Sequence, residues 1–453
     1  MNLNIYDVII VGGGISGSMA AISAAREGVN VLVVEQYGFL GGMLTAAGVG
    51  PMMTFHAGDT QVVQGITDEL INRLKAKGKS TGHIYDTTRY TYTVTPFDAE
   101  AMKLELDLMF EEAGVEVLFH TMLASVNASD GRIRDITVCN KAGLTKLSAK
   151  VYIDATGDAD LAFRAGVPCE KGRKEDGKCQ PATLKVRFNG VNVDAIRRYI
   201  KENPADFPTL KGDVDSIDKG ERLSIGGFLS LVKKARQNGD FNIERDSLLI
   251  FETSNRGEII VNTSRIFGCD PTDPASLSKA EISGRKQVAS LDRFLKNYVP
   301  GFENANLMFS GPNIGIRSSR QIEGLKTLKE SDVTGFKKGD DCIAFSGYPI
   351  DIHPLEAGNP DHYIVPRFDA GQYYGIPFGC MVNGTVFNLI TTGRCISAEF
   401  NAQAAIRTTP TIGAVGHAAG AAAAIAVKKG LETDRIDVKD IRELLKKQCA
   451  FIV

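Results

Sequence analysis

The chain has 453 residues, 43% of them hydrophobic and 23% charged, with a formal net charge of −2. That length can bury a large core and hold two or three domains, and the composition excludes a disordered chain. A near-neutral balance with no basic run leaves no electrostatic footprint for nucleic acid or anionic lipid, so neither a nucleic acid nor a membrane is expected as a partner.

The first predicted strand, Ile-Tyr-Asp-Val-Ile-Ile-Val from Ile5, runs directly into Gly12-Gly-Gly-Ile-Ser-Gly17 and then into a helix with the small residues Ala20, Ala21, Ala24 and Ala25. This is the grammar of a dinucleotide clamp. Gly12 supplies the tight turn, Gly14 lets backbone approach a pyrophosphate, and Gly17 lets the helix pack closely on its strand. Ile15 and Ser16 open the helix, whose positive end faces the phosphates. A second strand, Val29 to Val34, is followed by Glu35 and Gln36. Glu35 falls where the fingerprint needs an acceptor for the ribose hydroxyls, and an acid there disfavours a 2′-phosphate. The clamp alone leaves NAD and FAD both open.

Gly38 to Gly50 reads as a second glycine-rich loop and contains Gly41, Gly42, Met43, Leu44 and Thr45. An amphipathic helix is predicted over Gln64 to Lys77. Another starts with Thr95 as N-cap and Pro96 at its first position, with Phe97, Ala101, Leu104 and Leu108 along its apolar face and a stop at Gly114. Val115–Phe119, Leu123–Asn127, Ile133–Asn140 and Thr145–Ser148 read as a β-meander. The run Val151 to Asp158 then repeats the strand-to-glycine pattern, with Ala155, Thr156 and Gly157 at its end.

From about residue 181 to 375 the pattern changes to polar helices and isolated strands, which predicts a substrate or cap domain of α+β type inserted between 1–180 and 376–453. Its best-marked helix has Ser278 and Glu281 as a capping box, Ile282, Val288, Leu291, Leu295 and Tyr298 on its apolar face, and a stop at Pro300. The carboxy-terminal part resumes the pattern of the amino-terminal one, with a strand at Val386–Thr391, the loop holding Gly393 and Arg394, and a helix from Pro410 to Lys429 capped by Thr409. The expected fold class is α/β, a Rossmann-like nucleotide-binding domain of central parallel sheet plus β-meander, with the inserted domain.

The eight cysteines are scattered with no CxxC pair or cluster run, so zinc, redox-dithiol and iron–sulfur ligation are not expected, and the reduced thiols point to a cytoplasmic protein. The first strand starts too early for a signal peptide, and Val415–Val427 reads as too short and too rich in Ala and Gly to span a bilayer.

Taken together, these motifs resemble the FAD-dependent oxidoreductases of the glutathione-reductase-like superfamily, in particular a bacterial family akin to heterodisulfide reductase A. The resemblance covers nearly the whole chain and adds Gly315–Arg320, Asp351–His353, Tyr374–Pro377, Gly393–Ser397 and Pro410–Gly420 to the pieces above. It implies FAD as cofactor. By motif, Ala155, Thr156 and Gly157 would lie against the dinucleotide, Ala124 would meet the adenine through backbone, and Gly42 to Thr45 would line the pyrophosphate and flavin edge. Thr411 to Gly413 would point amides at the flavin's pyrimidine edge, where negative charge gathers on reduction. Relatives carry Gly-Asp where this chain has Gly393-Arg394, so the ribityl partner stays open, and Asp158 reads as the N-cap of its own helix. No second glycine fingerprint announces a separate NAD(P)H domain.

Arg317, Arg320, His353 and Tyr374 are the candidate catalytic groups. Arg suits a substrate carboxylate or oxyanion, and His suits proton transfer coupled to hydride transfer. Against this stand a surface ion pair for each Arg, a hydrogen-bonded loop histidine, and a core position for Tyr374. His56 and Arg407 are weaker candidates, Arg394 and Arg407 being equally suited to phosphate, substrate or an interdomain ion pair. Cys380 and Cys395 read as packed thiols. The expected activity is hydride transfer at flavin N5 to or from a small-molecule substrate, with an unknown electron donor or acceptor. The alternatives are an electron-carrying subunit of a complex and a non-redox, thiazole-synthase-like nucleotide-binding enzyme.

Overall fold

The computed structural model describes residues 5–358, 363–364 and 367–453. Its organising element is a parallel sheet of strands Glu116–Leu118, Val31–Val34, Ile5–Val11, Gly143–Asp154 and Leu389–Thr391, in that spatial order. Successive side chains of a strand point to opposite faces, and both faces are buried here. Val8, Ile10, Val31, Val33, Val151 and Ile153 pack under the helices. Ile9, Val11, Leu32, Val34 and Tyr152 pack under the meander.

The strand Gly143–Asp154 serves two sheets. Residues 143–147 pair antiparallel with Arg132–Asn140, while Ser148 onward runs parallel to the first strand. The expected strands at 145–148 and 151–154 are therefore one. The expected first meander strand, at 115–119, instead forms the edge of the parallel sheet beside Val31–Val34.

Helix starts are displaced from their expected positions wherever an aspartate caps better. Asp98, not Thr95, accepts from Glu100 N and Ala101 N and opens Ala99–Ala113. Leu104 of that helix is exposed, and Met102, Leu106, Met109 and Phe110 are its buried face. Asp273 caps Pro274–Tyr298, which starts four residues before the expected capping box and leaves Ile282 exposed. Thr408 is the residue before the last long helix, Thr409–Lys429.

The strands between 181 and 310 are not isolated. Ser224–Gly227, Leu248–Glu252, Ile259–Val261, Val186–Asn189 and Asn306–Ser310 form one antiparallel sheet in that order. Val186, Phe188, Ile250, Ile259 and Val261 face Val288, Leu291, Phe294 and Leu295 of the helix Pro274–Tyr298 in a separate core. That core ends near Ile316, whereas Leu328, Val333, Phe345 and Tyr374 lie in the core of the nucleotide-binding half. By core membership the inserted unit is shorter than 181–375.

The helix Thr409–Lys429, 21 residues with mean hydropathy 1.4 in its most apolar window, is longer than the run 415–427 and, by length and composition alone, is long and apolar enough to cross a membrane. In the fold 83% of that window is packed inside the protein. It lies on the helix Ile15–Arg26 so closely that a Cβ at Gly416 would overlap the carbonyl oxygen of Ser16, and one at Gly420 that of Ala20.

Candidate active site

The three clamp glycines do three different things. Gly12 has φ +105°, a conformation that side-chain-bearing residues avoid, and a Cβ there would strike Ala155 O. A Cβ at Gly17 would overlap Gly12 O, so glycine is required for helix and strand to touch. At Gly14 nothing in the protein demands glycine: φ is −62°, and the nearest atom to an added Cβ is Gly42 Cα at 3.7 Å. Open space beside a glycine at a helix N-terminus is where a pyrophosphate fits, and on this observation the clamp fits FAD.

Other expected cofactor residues converge on the same turn. Gly41 N donates to Gly13 O at 3.0 Å, which brings Gly42, Met43, Leu44 and Thr45 alongside. Met43–Ala46 is a short helix rather than loop, and Thr45 Oγ1 donates to Leu40 O at 2.7 Å. Ser16 Oγ is 2.7 Å from Thr392 Oγ1, which sets Gly393 against the start of the helix. Glu35 is buried, accepting from Gly13 N at 2.6 Å and Tyr37 N at 2.8 Å; burial raises its carboxyl pKa against those donors. Gln36 beside it is exposed. Ala124 falls at a register shift between Leu123 and Ser125, a bulge that takes it out of the meander ladder.

Asp158 is not an N-cap. Ala159 occupies that position, and Thr156 Oγ1 accepts from Asp160 N instead. Asp158 pairs with Arg394, Nη2 to Oδ1 at 2.5 Å, and Ser319 Oγ bonds to both. The guanidinium stands over Gly157, 3.5 Å from where a Cβ would be. The departure Gly393-Arg394 is thus matched by an acid at the other strand end.

At the last helix, Thr408 makes no side-chain cap, so the amides of Thr409 and Thr411 have no capping side chain. Thr411 Oγ1 bonds to Ser346 Oγ at 2.9 Å, and the space at Gly413 is taken by Thr67, whose Oγ1 would lie 2.7 Å from an added Cβ. Gly413 therefore packs on protein as well as lying near the helix start.

The four candidate catalytic residues do not come together. Arg320 donates to Asp158 O and to Asp160 Oδ1 at 2.9 Å and stacks 4.3 Å over Phe163, so its charge is spent in an ion pair. Tyr374 is fully buried against Phe368. His56 lies elsewhere, ring to ring with His83, and burial with that neighbour lowers its pKa to about 4.

Arg317 and His353 do meet, together with groups that sequence motifs mark weakly or not at all. Thr183 lies opposite Gly315 in an antiparallel bridge, so Lys185 and Arg317, each two residues further on, face the same side from opposite ends of the bridge, Lys185 beside Gly311 and Arg317 beside Pro181. Arg317 donates to Pro181 O, and burial followed by the charge of Arg407 lowers its pKa to about 9. Lys185 is pushed down to about 7 by burial, then by Arg317 and Arg407. His353 is held neutral by burial, then by Arg317, Arg407, Arg245 and Arg265. Among the described residues the carboxylate beside them is Asp351, 2.9 Å from Arg407 Nη2 and 3.6 Å from His353 Nε2. Lys185, Arg317 and His353 are sunk in protein yet keep intermediate solvent exposure, as groups lining a recess do.

This recess adjoins the clamp. Asn313 N donates to Ala46 O, and a Cβ at Gly48 would lie 3.8 Å from Lys185 Cβ, so the segment that starts at the Gly14 turn ends under Lys185. On the other side Arg407 adjoins Thr408, the residue before the helix Thr409–Lys429, and Gln403 Nε2 donates to Arg317 O at 2.9 Å. The missed signal was the alternation of Thr183, Lys185 and Arg187 with Leu184, Val186 and Phe188, which reads as a strand with one polar face.

Comparison with known proteins follows the same lines. A family model described as FAD dependent oxidoreductase matches residues 7–445. Protein FixC of Salmonella typhi is 31% identical over 181 residues, 37% of this chain; the chain spans 40% of the length of that relative. Thiamine thiazole synthase of Methanococcus aeolicus is 29% identical over 210 residues, 43% of this chain and 70% of its own. Among solved structures, the flavin-dependent halogenase CmlS covers 98% of this chain and 62% of its own at 14% identity with a TM-score of 0.50, a likeness of fold.

Proposed function

The chain belongs to the family of FAD-dependent oxidoreductases, and on that premise we propose that this FAD-using enzyme oxidises or reduces a small anionic metabolite by hydride transfer, with Arg317 anchoring the anion and His353 moving the proton. The observation that carries this reading is the run of residues 42–48, which begins beside Gly14 and ends under Lys185, joining the cofactor cradle to the recess that holds both side chains. When bound, FAD supplies the two-electron chemistry at N5 of its isoalloxazine.

Each side chain's part follows from its surroundings. Gly14, Gly42 and Gly393 would admit the pyrophosphate, Glu35 would hold the ribose, and the uncapped amides of Thr409 and Thr411 would favour negative charge on the flavin's pyrimidine edge. Arg317, with no carboxylate bonded to it among the described residues, has its donors available for a substrate oxyanion. His353, kept neutral by burial and then by the surrounding guanidiniums, is a proton acceptor in the oxidative direction; a bound anion would offset the guanidinium field and raise its affinity for the proton. Asp351, bonded to Arg407 and beside His353, orients both. The same reading takes the protein to be cytoplasmic.

The test is stopped-flow reduction of the bound flavin across a metabolite panel, with the cofactor identified by mass spectrometry. His353→Gln should slow reduction by about 10²-fold while flavin occupancy is unchanged. Reduction at the unaltered rate in that variant rejects the role.

A further inference from the structure

Buried cations without partners are costly, and folded proteins rarely leave them so. In the recess two cations, largely surrounded by protein though partly exposed, stand without an acidic partner among the described residues. Among the described residues no ion pair or side-chain hydrogen bond reaches Lys185 Nζ, and the side-chain bond of Arg317 is to the neutral carbonyl of Pro181. The neighbouring acid, Asp351, is already engaged by Arg407 and by Tyr348 OH. Around them are buried polar atoms with no partner: Gln180 Nε2, Thr183 Oγ1, Gln403 Oε1 and Arg407 Nε. Thr183 is two residues before Lys185, Gln180 Oε1 accepts from His353 N, and Gln403 Nε2 donates to Arg317 O, so these atoms lie in the protein packed around the recess.

From this geometry we infer that the substrate carries at least two negatively charged oxygen groups, one held by Arg317 and Arg407 and the other by Lys185 at the end of the recess nearest Gly48. This rests on the reading of the recess as the substrate site and narrows its class: a monoanion would leave one of the two cations unmatched. Lys185 is then a specificity residue, and its separation in space from Arg317 sets the spacing between the two anionic groups that the site accepts. Two carboxylates, or a carboxylate and a phosphate, would satisfy it equally.

The experiment is titration calorimetry on the FAD-loaded protein, which keeps the cofactor's own phosphate cradle filled. The probes are dicarboxylates of three to five carbons against butyrate, and phosphoglycolate against glycolate. At least one dianion should bind about tenfold or more tightly than its singly charged counterpart, and which pair shows the preference separates a dicarboxylate from a phosphorylated substrate. Lys185→Met should abolish the preference while butyrate affinity and flavin absorbance stay within twofold, and Lys185→Arg should restore it. Equal affinities, absence of dianion binding, or a preference that survives in Lys185→Met overturns the inference. Flavin reduction is scored separately. Reduction by an uncharged metabolite that depends on His353 would uphold hydride transfer and overturn the dianion site, whereas dianion preference with no reduction by any probe would do the reverse.

Discussion

The glycine turn and the cationic recess stand at the two ends of the same stretch, residues 42–48, and are built in contrary ways. In the turn, backbone meets backbone: Gly12 against Ala155, Gly17 against Gly12, Gly416 against Ser16. The buried Glu35 is bonded to Gly13 N there, and of the three clamp glycines only Gly14 is left with room. In the recess, the cations Lys185, Arg317 and Arg407 and the neutral His353, from four separate parts of the chain, are gathered, with Asp351 the engaged carboxylate among the described residues. The first region is rigid because its atoms leave no alternative; the second stores unmatched charge. The contrast teaches where a substitution should be felt as lost stability and where as lost affinity.

The largest effect should come from setting two clamp glycines against each other. Gly17→Ala drives a methyl into Gly12 O, a backbone clash that should cost on the order of 3 kcal/mol or more and lower the melting temperature of the apoprotein by several degrees. Gly14→Ala meets nothing closer than 3.7 Å, so the apoprotein should melt as before while FAD affinity falls by about tenfold or more, read by equilibrium dialysis and flavin absorbance. If both variants lose stability equally, Gly14 is a packing residue and the cradle is wrongly placed.

Two buried histidines sharpen the same comparison. His417, on the last helix, gives Nε2–H to Gln448 Oε1 at 2.7 Å with Nδ1 unpartnered, and burial lowers its pKa to about 4. A folded value below the unfolded one means that the unfolded chain binds the extra proton. His417's contribution is therefore complete above pH 6.5 and lost as pH falls towards 4, on the order of 3 kcal/mol. Asp154, raised by burial to about 6, acts in the opposite sense below that pH, so the useful quantity is the difference between the parent and His417→Gln, whose denaturation curves should converge as pH drops. His353 is lowered by guanidiniums as well as burial, so a bound dianion should raise its pKa, followed by imidazole NMR, and leave His417 unmoved. Equal responses would mean that His353 does not face the anion.

The smallest effect belongs to Arg320. Its pair with Asp160 is partly solvated, so Arg320→Ala should cost about 1 kcal/mol or less and leave flavin reduction unaltered, whereas Arg317→Ala should raise the KM for an anionic substrate by at least about tenfold. A kinetic defect in Arg320→Ala would reinstate it in the site.

The strand, the turn and the roles of Gly12, Gly14 and Gly17 could be read from thirteen consecutive residues, because close backbone approach leaves glycine as the one side-chain choice and spaces it by the geometry of one turn. Arg317 and His353 were found through their motifs. Lys185 was not, because the alternation of Thr183, Lys185 and Arg187 marks a polar strand face but not what stands across from it. Arg320, three residues from Arg317 and in the same motif, was grouped with it; a strand begins at Arg320, and the two side chains go to different places.

What the amino-acid order determined by itself, then, is everything set by short-range sterics and alternation: the nucleotide clamp, the parallel strands with both faces apolar, and the small-residue seam between the first and last long helices. Tertiary structure alone decided which cations share a space, that Asp158 answers Arg394, and that Leu328, Val333, Phe345, Ile350, Phe368 and Tyr374 pack with the nucleotide-binding core. Those outcomes depend on distances between residues far apart in the chain, and the electrostatic energy of a group follows from its neighbours in space rather than in sequence.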